Sequence, residues 1–230
     1  MNKLLSIIVP VYNEEKVALS SLPAIFALNI NKEVIVINDG STDQTQAVLE
    51  NFTKQYQFKL IEQLTNQGKG AAVKRGLEEM TGDYFIICDA DLEYDPQDII
   101  SLFKEIEKDA SENLVIYGSR FLKNKTLTFH YLVNRFLTGL TNWLFGSRLT
   151  DMETCFKLIP ASALKKLRLS GQRFEIEPEI TAQLLKNNYQ LKELPINYRR
   201  RGYKDGKKIK ARDGLLAIKT LIKEKFFKAI

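Results

Sequence analysis

The chain has 230 residues, 44% of them hydrophobic, and a net charge of +6, which allows one large domain with a substantial core or at most two small ones. Two cysteines, Cys88 and Cys155, are too few for a disulfide framework and fit a reducing compartment. The net charge hides a division: residues 1–118 carry ten basic and nineteen acidic side chains, whereas residues 119–230 carry twenty-four and nine, so the second half calls for an anionic partner such as nucleic acid, an anionic membrane or a phosphorylated substrate.

In chain order, Met1 leads straight into the apolar run Leu4 to Val11, of strand length and without a small-residue cleavage site, so no leader and a cytosolic location are expected. A helical pattern from about Glu14 to Leu28 follows, then the strand EVIVIN, a helix from about Thr42 to Lys54 with Ser41, Thr42 and Asp43 as cap candidates, and the strand FKLIE. Next come a helix from about Gly70 to Met80, the strand DYFIIC, a helix from about Pro96 to Lys108 and the strand LVIYGS. Strands alternating with helices predict an α/β fold with a mostly parallel sheet and right-handed crossovers.

The DYFIIC strand ends in Asp89 and Asp91, with Glu93 two residues further. Where a buried strand gives way to a turn, two carboxylates one residue apart can converge on a hard cation, and open α/β sheets place ligands at that edge. This pattern points to a nucleotide-diphosphate site bridged by Mg²⁺ or Mn²⁺. Cys88 precedes it inside the strand, and Cys155 is expected at the start of another.

The second half is less regular. Phe129, Leu132, Val133, Phe136, Leu140, Trp143 and Leu144 recur at helical spacing, which fits either a core-facing helix or one lying on a lipid surface. His130, Asn134, Arg135, Asn142 and Arg148 interrupt residues 126–149 too often for a transmembrane span. Tyr198 to Lys210 forms a basic loop with glycine hinges. In the tail, Leu215, Ile218, Leu221, Ile222 and Phe226 can share one face, with Lys219, Lys223, Lys225 and Lys228 around the rest, as membrane-surface binding requires. No specific recognition helix or aromatic-interleaved basic strand accompanies the charge, and the acidic half would repel phosphate backbones, so nucleic acid is not an expected partner.

Five segments together resemble glycosyltransferase family 2, and within it the polyprenyl-phosphate (dolichyl-phosphate) mannose and glucose synthases. They are Ile8 to Glu15, Val36 to Asp43, Asn66 to Ala72 with Gly76, Asp89-Ala90-Asp91, and Thr150 to Lys157. The resemblance implies a GT-A, Rossmann-like fold with C-terminal amphipathic helices, one domain whose residues 1–118 take the donor nucleotide and whose residues 119–230 face acceptor and membrane. It implies that Pro10, Tyr12, Glu14, Asp39 and Lys69 border the nucleotide, and that Asp89 and Asp91, with Glu93 as a further ligand, hold Mg²⁺ or Mn²⁺ on its diphosphate. Arg120 and Arg135 resemble phosphate-contacting arginines; Arg199, Arg200, Arg201, Lys207 and Lys208 are the loop's phosphate-binding candidates.

The implied reaction is inverting transfer of a hexose from a UDP- or GDP-linked sugar to a polyprenyl phosphate at the cytoplasmic membrane surface, with a membrane-anchoring partner chain as a further implication. A hydroxyl acceptor would instead need a base, for which Asp151 and Glu153 are the candidates and Glu175, Glu177 and Glu179 the alternatives; in the lipid-phosphate reading Asp151 positions the acceptor or its arginines. A regulatory subunit that binds sugar nucleotide without catalysis is the alternative from another class. The chain departs from the family pattern at Asn38 (often Asp), at Glu93 (often Gln) and at Thr154-Cys155 (often Cys-Gly).

Overall fold

The computed structural model describes residues 3–109, 111–123, 128–200 and 211–227. Five strands and four helices follow in the expected alternation: β1 (Leu5–Val11), α1 (Glu15–Phe26), β2 (Lys32–Asn38), α2 (Thr45–Thr53), β3 (Lys59–Glu62), α3 (Lys69–Leu77), β4 (Tyr84–Ile87), α4 (Asp98–Lys108) and β5 (Leu114–Ser119). The remainder is α5 (Phe129–Phe145), β6 (Lys157–Pro160), a 3₁₀ turn (Ala161–Lys165), α6 (Ile176–Lys186), β7 (Gln190–Pro195) and α7 (Ala211–Phe226).

All seven strands join one sheet in the order β3-β2-β1-β4-β6-β5-β7. Every pairing is parallel except those of β6, which runs antiparallel between β4 and β5. Alternation along β1 assigns its two faces: Leu5, Ile7, Val9 and Val11 pack with α1, α2 and α4, whereas Ile8 packs with α3, α5, α6 and α7. Both faces are thus covered, as the near-continuous apolar strands require.

Several expected boundaries shift for local reasons. Ser41, Thr42 and Asp43 do not begin α2, because their side chains hold the β1–α1 turn. Ser41 Oγ accepts from the Asn13 amide, Thr42 Oγ1 from Asn13 Nδ2, and Asp43 Oδ2 from the Glu15 amide. Asp43 Oδ1 still accepts from Thr45 N at 3.0 Å at the start of the helix. Cys155 precedes its strand instead of opening it.

The two amphipathic helices present a different division from the one their spacing predicts. In α5, Leu137, Thr141 and Leu144 face the core while Leu132, Phe136 and Trp143 are exposed. In α7, Ala217 and Leu221 are buried together with the acids Asp213 and Glu224, whereas Leu215, Ile222 and Phe226 point outward. The expected single apolar face of α7 is therefore split. Buried Glu224 is matched by Gln183 Nε2 at 3.1 Å and Lys186 Nζ at 3.3 Å on α6, which lets a charged residue occupy an inward position. Among the described residues, no helix is long and apolar enough to cross a membrane.

Candidate active site

The C-terminal edge of β1, β2 and β4 collects the first group of polar residues. Beyond β2, Asp39 is 2% exposed and holds the loop before α3: Oδ1 accepts from Gln67 N at 2.8 Å, and Oδ2 from Gly68 N at 2.8 Å and Asn66 Nδ2 at 3.0 Å. Burial pushes its carboxyl up in spite of the amides. The close approach demands glycine at position 40, where φ is +62° and an added Cβ would lie 2.4 Å from the Thr65 carbonyl carbon. Asn38 donates to Glu62 Oε2 at 2.7 Å across the β2–β3 edge. An aspartate there would set two carboxylates face to face.

Beyond β4 the chain turns through Leu92 in the left-handed region, φ +57°, an uncommon conformation for a branched side chain. The turn brings Glu93 N to Asp91 Oδ1 at 3.0 Å. Asp89 Oδ2 takes Lys69 Nζ at 2.8 Å. One oxygen of each aspartate, Asp89 Oδ1 and Asp91 Oδ2, is left without a hydrogen-bonding partner among the described residues. Burial, and then the charge of Asp89, push the Asp91 carboxyl up to about 7.

Two hard oxygens and surplus negative charge fit a divalent cation that draws its other ligands from a diphosphate and water, the usual habit of Mg²⁺. Glu93, expected as a third ligand, is engaged elsewhere: it is buried, and its Oε2 accepts from Tyr198 Oη at 2.8 Å. No group of three or more acidic, histidine or cysteine side chains is disposed to hold a metal among the described residues.

Lys69 lies deeper than an expected nucleotide contact. Its ammonium bridges Asp89 and Glu177 Oε1, the latter at 3.0 Å, and Glu177 Oε2 pairs in turn with fully buried Lys157. Lys157 Nζ also donates to Thr154 O at 2.7 Å. Burial opposes the charge on Lys69, but Asp89 and Glu177 hold its pKa well above the usual value. Burial likewise opposes ionised Glu177, and Lys157 and Lys69 hold it below the carboxylate range. The alternation Asp89–Lys69–Glu177–Lys157 ties the β4 edge to β6 and α6.

A second cluster lies at the end of β5. Arg120 donates to Asp151 through Nε at 2.7 Å, Nη2 at 2.7 Å and its backbone N at 3.0 Å. Asp151 is fully buried, and the guanidinium carbon lies 5.9, 5.2 and 5.3 Å from the ring centres of Tyr94, Phe121 and Tyr198. Glu193 on β7 caps the Thr150 and Asp151 amides at 2.8 to 2.9 Å. Arg135 on α5 donates to Thr150 O at 3.0 Å.

Pro10, Tyr12 and Glu14 are half-buried along the β1 edge, and Arg199 and Arg200 are exposed. Arg199 is anchored through its backbone N to Glu93 O at 2.7 Å. Arg201, Lys207 and Lys208 lie outside the described residues. Sequence reasoning missed the roles of Lys157 and Glu193. A lysine opening an otherwise apolar strand was the available signal for the first; nothing local marked the second.

A nucleotide-type α/β edge bearing an aspartate pair, with cations behind it, defines a glycosyltransferase of the GT-A class. The glycosyl transferase family 2 model matches residues 6–168, and the chain belongs to that family. Dolichyl-phosphate beta-glucosyltransferase ALG5A of Trichomonas vaginalis is 29% identical, the match covering 97% of this chain and 73% of that protein. Dolichol-phosphate mannosyltransferase of Pyrococcus furiosus is 33% identical over 51% of this chain and 33% of its own length. In fold, the chain is similar to glucosyl-3-phosphoglycerate synthase of Mycobacterium tuberculosis, crystallised with Mn²⁺, UDP and phosphoglyceric acid. That similarity has a TM-score of 0.75 at 16% identity and covers 99% of this chain and 80% of that one.

Proposed function

We propose that this glycosyltransferase moves a hexose, with inversion, from a UDP- or GDP-linked sugar to a polyprenyl phosphate at the cytoplasmic face of a membrane. The observation that carries the reading is the outer surface of α5 and α7. Exposed Leu132, Phe136, Trp143, Leu215, Ile222 and Phe226 stand among Arg135, Lys219, Lys223 and Lys225. Monomeric proteins seldom leave so many large apolar groups outside, and mixed apolar and cationic helices suit an anionic bilayer. The same helix α5 carries Arg135 to Thr150, beside the Arg120–Asp151 pair, so a phosphate and its hydrocarbon tail could be met by adjoining parts of the molecule.

On this reading Asp89 and Asp91 hold Mg²⁺ or Mn²⁺. When bound, the ion neutralises charge gathering on the departing diphosphate. Lys69 fixes the orientation of Asp89, and Asp39 sets the shape of the loop that borders the nucleotide. Arg135 attracts the acceptor's phosphate, and Arg120, oriented by Asp151, offers it guanidinium N–H groups not used on that aspartate. A phosphate monoester has a second pKa of roughly 6 and is largely dianionic at neutral pH, so it attacks without a general base. Asp151 suits this division of labour, because both of its oxygens are committed to Arg120.

The test is transfer from UDP-glucose, UDP-N-acetylglucosamine and GDP-mannose to a polyprenyl phosphate, with Mg²⁺ or Mn²⁺ and with EDTA. Product from one donor, lost in EDTA, is expected. Transfer to a sugar hydroxyl but to no polyprenyl phosphate would remove the lipid acceptor, and sugar-nucleotide binding without any transfer would favour a regulatory subunit.

A further inference from the structure

Glu153 is the one acid of the acceptor-side segment that the site's hydrogen bonding leaves unused. Of the five candidates for a base, Asp151 is spent on Arg120 and Glu177 on two lysines. Glu179 accepts from Ser170 N, Ser170 Oγ and Gly171 N, and Glu175 from the amides of Gln172 and Arg173. Glu153 accepts no hydrogen bond among the described residues; its Oε1 is buried without a partner, although the residue as a whole is partly exposed. An ionised carboxylate so placed would be costly.

The groups that act on it are Lys157 and Arg120, which favour its charge, and Glu177 and Asp151, which oppose it. Both cations are already paired with those same two acids, so little net positive field remains. Burial then dominates and pushes the Glu153 carboxyl up to about 7. The neutral acid has an O–H to give.

We propose that Glu153 meets the acceptor's phosphate as the neutral acid, donating its O–H to a phosphate oxygen, so that in alkaline solution the acceptor is bound together with a proton from solvent. The proposal rests on the lipid-phosphate reading and adds a specificity element to it. An anionic acceptor needs cations around it, but a carboxylate at its side would repel it. Protonation converts that repulsion into a hydrogen bond, and the dianion's own charge favours the protonated form. No bond to the sugar is made or broken by Glu153; where its carboxyl is ionised before binding, above about pH 7, one solvent proton is added to it on binding and released with the product.

The test uses the full chain with saturating donor and metal, farnesyl phosphate as acceptor, and KM and kcat measured separately from pH 6.5 to 9 for wild type, Glu153→Gln and Glu153→Ala. Above pH 7 the acceptor is already dianionic, so its own titration adds little. Wild-type KM should rise on the order of tenfold between pH 7 and 8.5 as the neutral fraction falls. Glu153→Gln, which keeps a donor and cannot ionise, should show a low, nearly pH-independent KM and a kcat within about twofold of wild type. Glu153→Ala should have a raised KM at every pH.

A pH profile in Glu153→Gln that matches wild type would overturn the proposal and leave the lipid-phosphate reading standing. Loss of kcat in Glu153→Gln with KM unchanged would also overturn it, by making Glu153 a general base. Failure of the wild type to use farnesyl phosphate while glycosylating a hydroxyl would overturn the lipid-phosphate reading itself, and this proposal with it.

Discussion

The two ends of the site hold their carboxylates by opposite means. Beyond β2, Asp39 is fixed by the amides of Gln67 and Gly68 and the side chain of Asn66, all neutral donors. Beyond β5 and on α6, Asp151 and Glu177 are fixed by the cations Arg120, Lys69 and Lys157. The first arrangement depends on backbone shape and therefore on Gly40; the second depends on charge balance, so the loss of one member strands another in the interior. Asp89 stands between them, with one oxygen on Lys69 and the other without a hydrogen-bonding partner among the described residues.

The contrast can be broken in graded steps. The largest effect is expected at the shared boundary: Asp91→Asn should reduce turnover by roughly a thousandfold while the circular dichroism spectrum and melting temperature stay close to wild type. Near-normal turnover would remove the metal assignment. Next is the charge-balanced end, where Asp151→Ala leaves Arg120 buried and unpaired and should cost about 3–5 kcal/mol in urea unfolding. A cost below about 1 kcal/mol would mean that water reaches the guanidinium.

At the amide-held end, Asp39→Asn keeps one acceptor oxygen but turns an NH₂ toward an amide. It should cost about 1–3 kcal/mol by the same measurement. An equal cost at both ends would erase the distinction. The remaining effect, which depends on pH, concerns Glu153. Its raised folded-state pKa means that its contribution to stability is full below about 4.3, the unfolded value, and is lost as pH climbs through about 7. Glu153→Gln should therefore raise the melting temperature at pH 8 and leave it nearly unchanged at pH 4; the reverse order would contradict the burial argument.

The first five strands and the four helices between them were legible because apolar runs such as Ile7 to Val9 and Val34 to Ile37 are bounded by turn residues and alternate with helical spacing. The order of motifs similarly exposed the aspartate pair and Asp39. What stayed hidden has one physical origin, charge placed inside. Lys157 opens β6, and Glu224 and Asp213 occupy the inward side of α7, and a hydropathy pattern assigns such residues to solvent. Their partners, Glu177 for Lys157 and Lys186 for Glu224, come from other elements, so only tertiary structure reveals the compensation. Strand β7 was missed for a related reason: QLKELP sets Lys192 and Glu193 between two leucines, without strand alternation, and reads as surface, although Leu191 and Leu194 pack against opposite faces of the sheet.

The reversed strand β6 also has a consequence for biosynthesis. A chain emerging from the ribosome can assemble β3-β2-β1-β4 early, but the outer edge of β4 stays bare until residues 157–160 arrive, and β5 has no neighbour on either side before then. Unpaired edges of this kind invite pairing with other nascent chains. The interval between translation of β4 and of β6 is where a chaperone, or a slow codon, would matter most to the yield of folded enzyme.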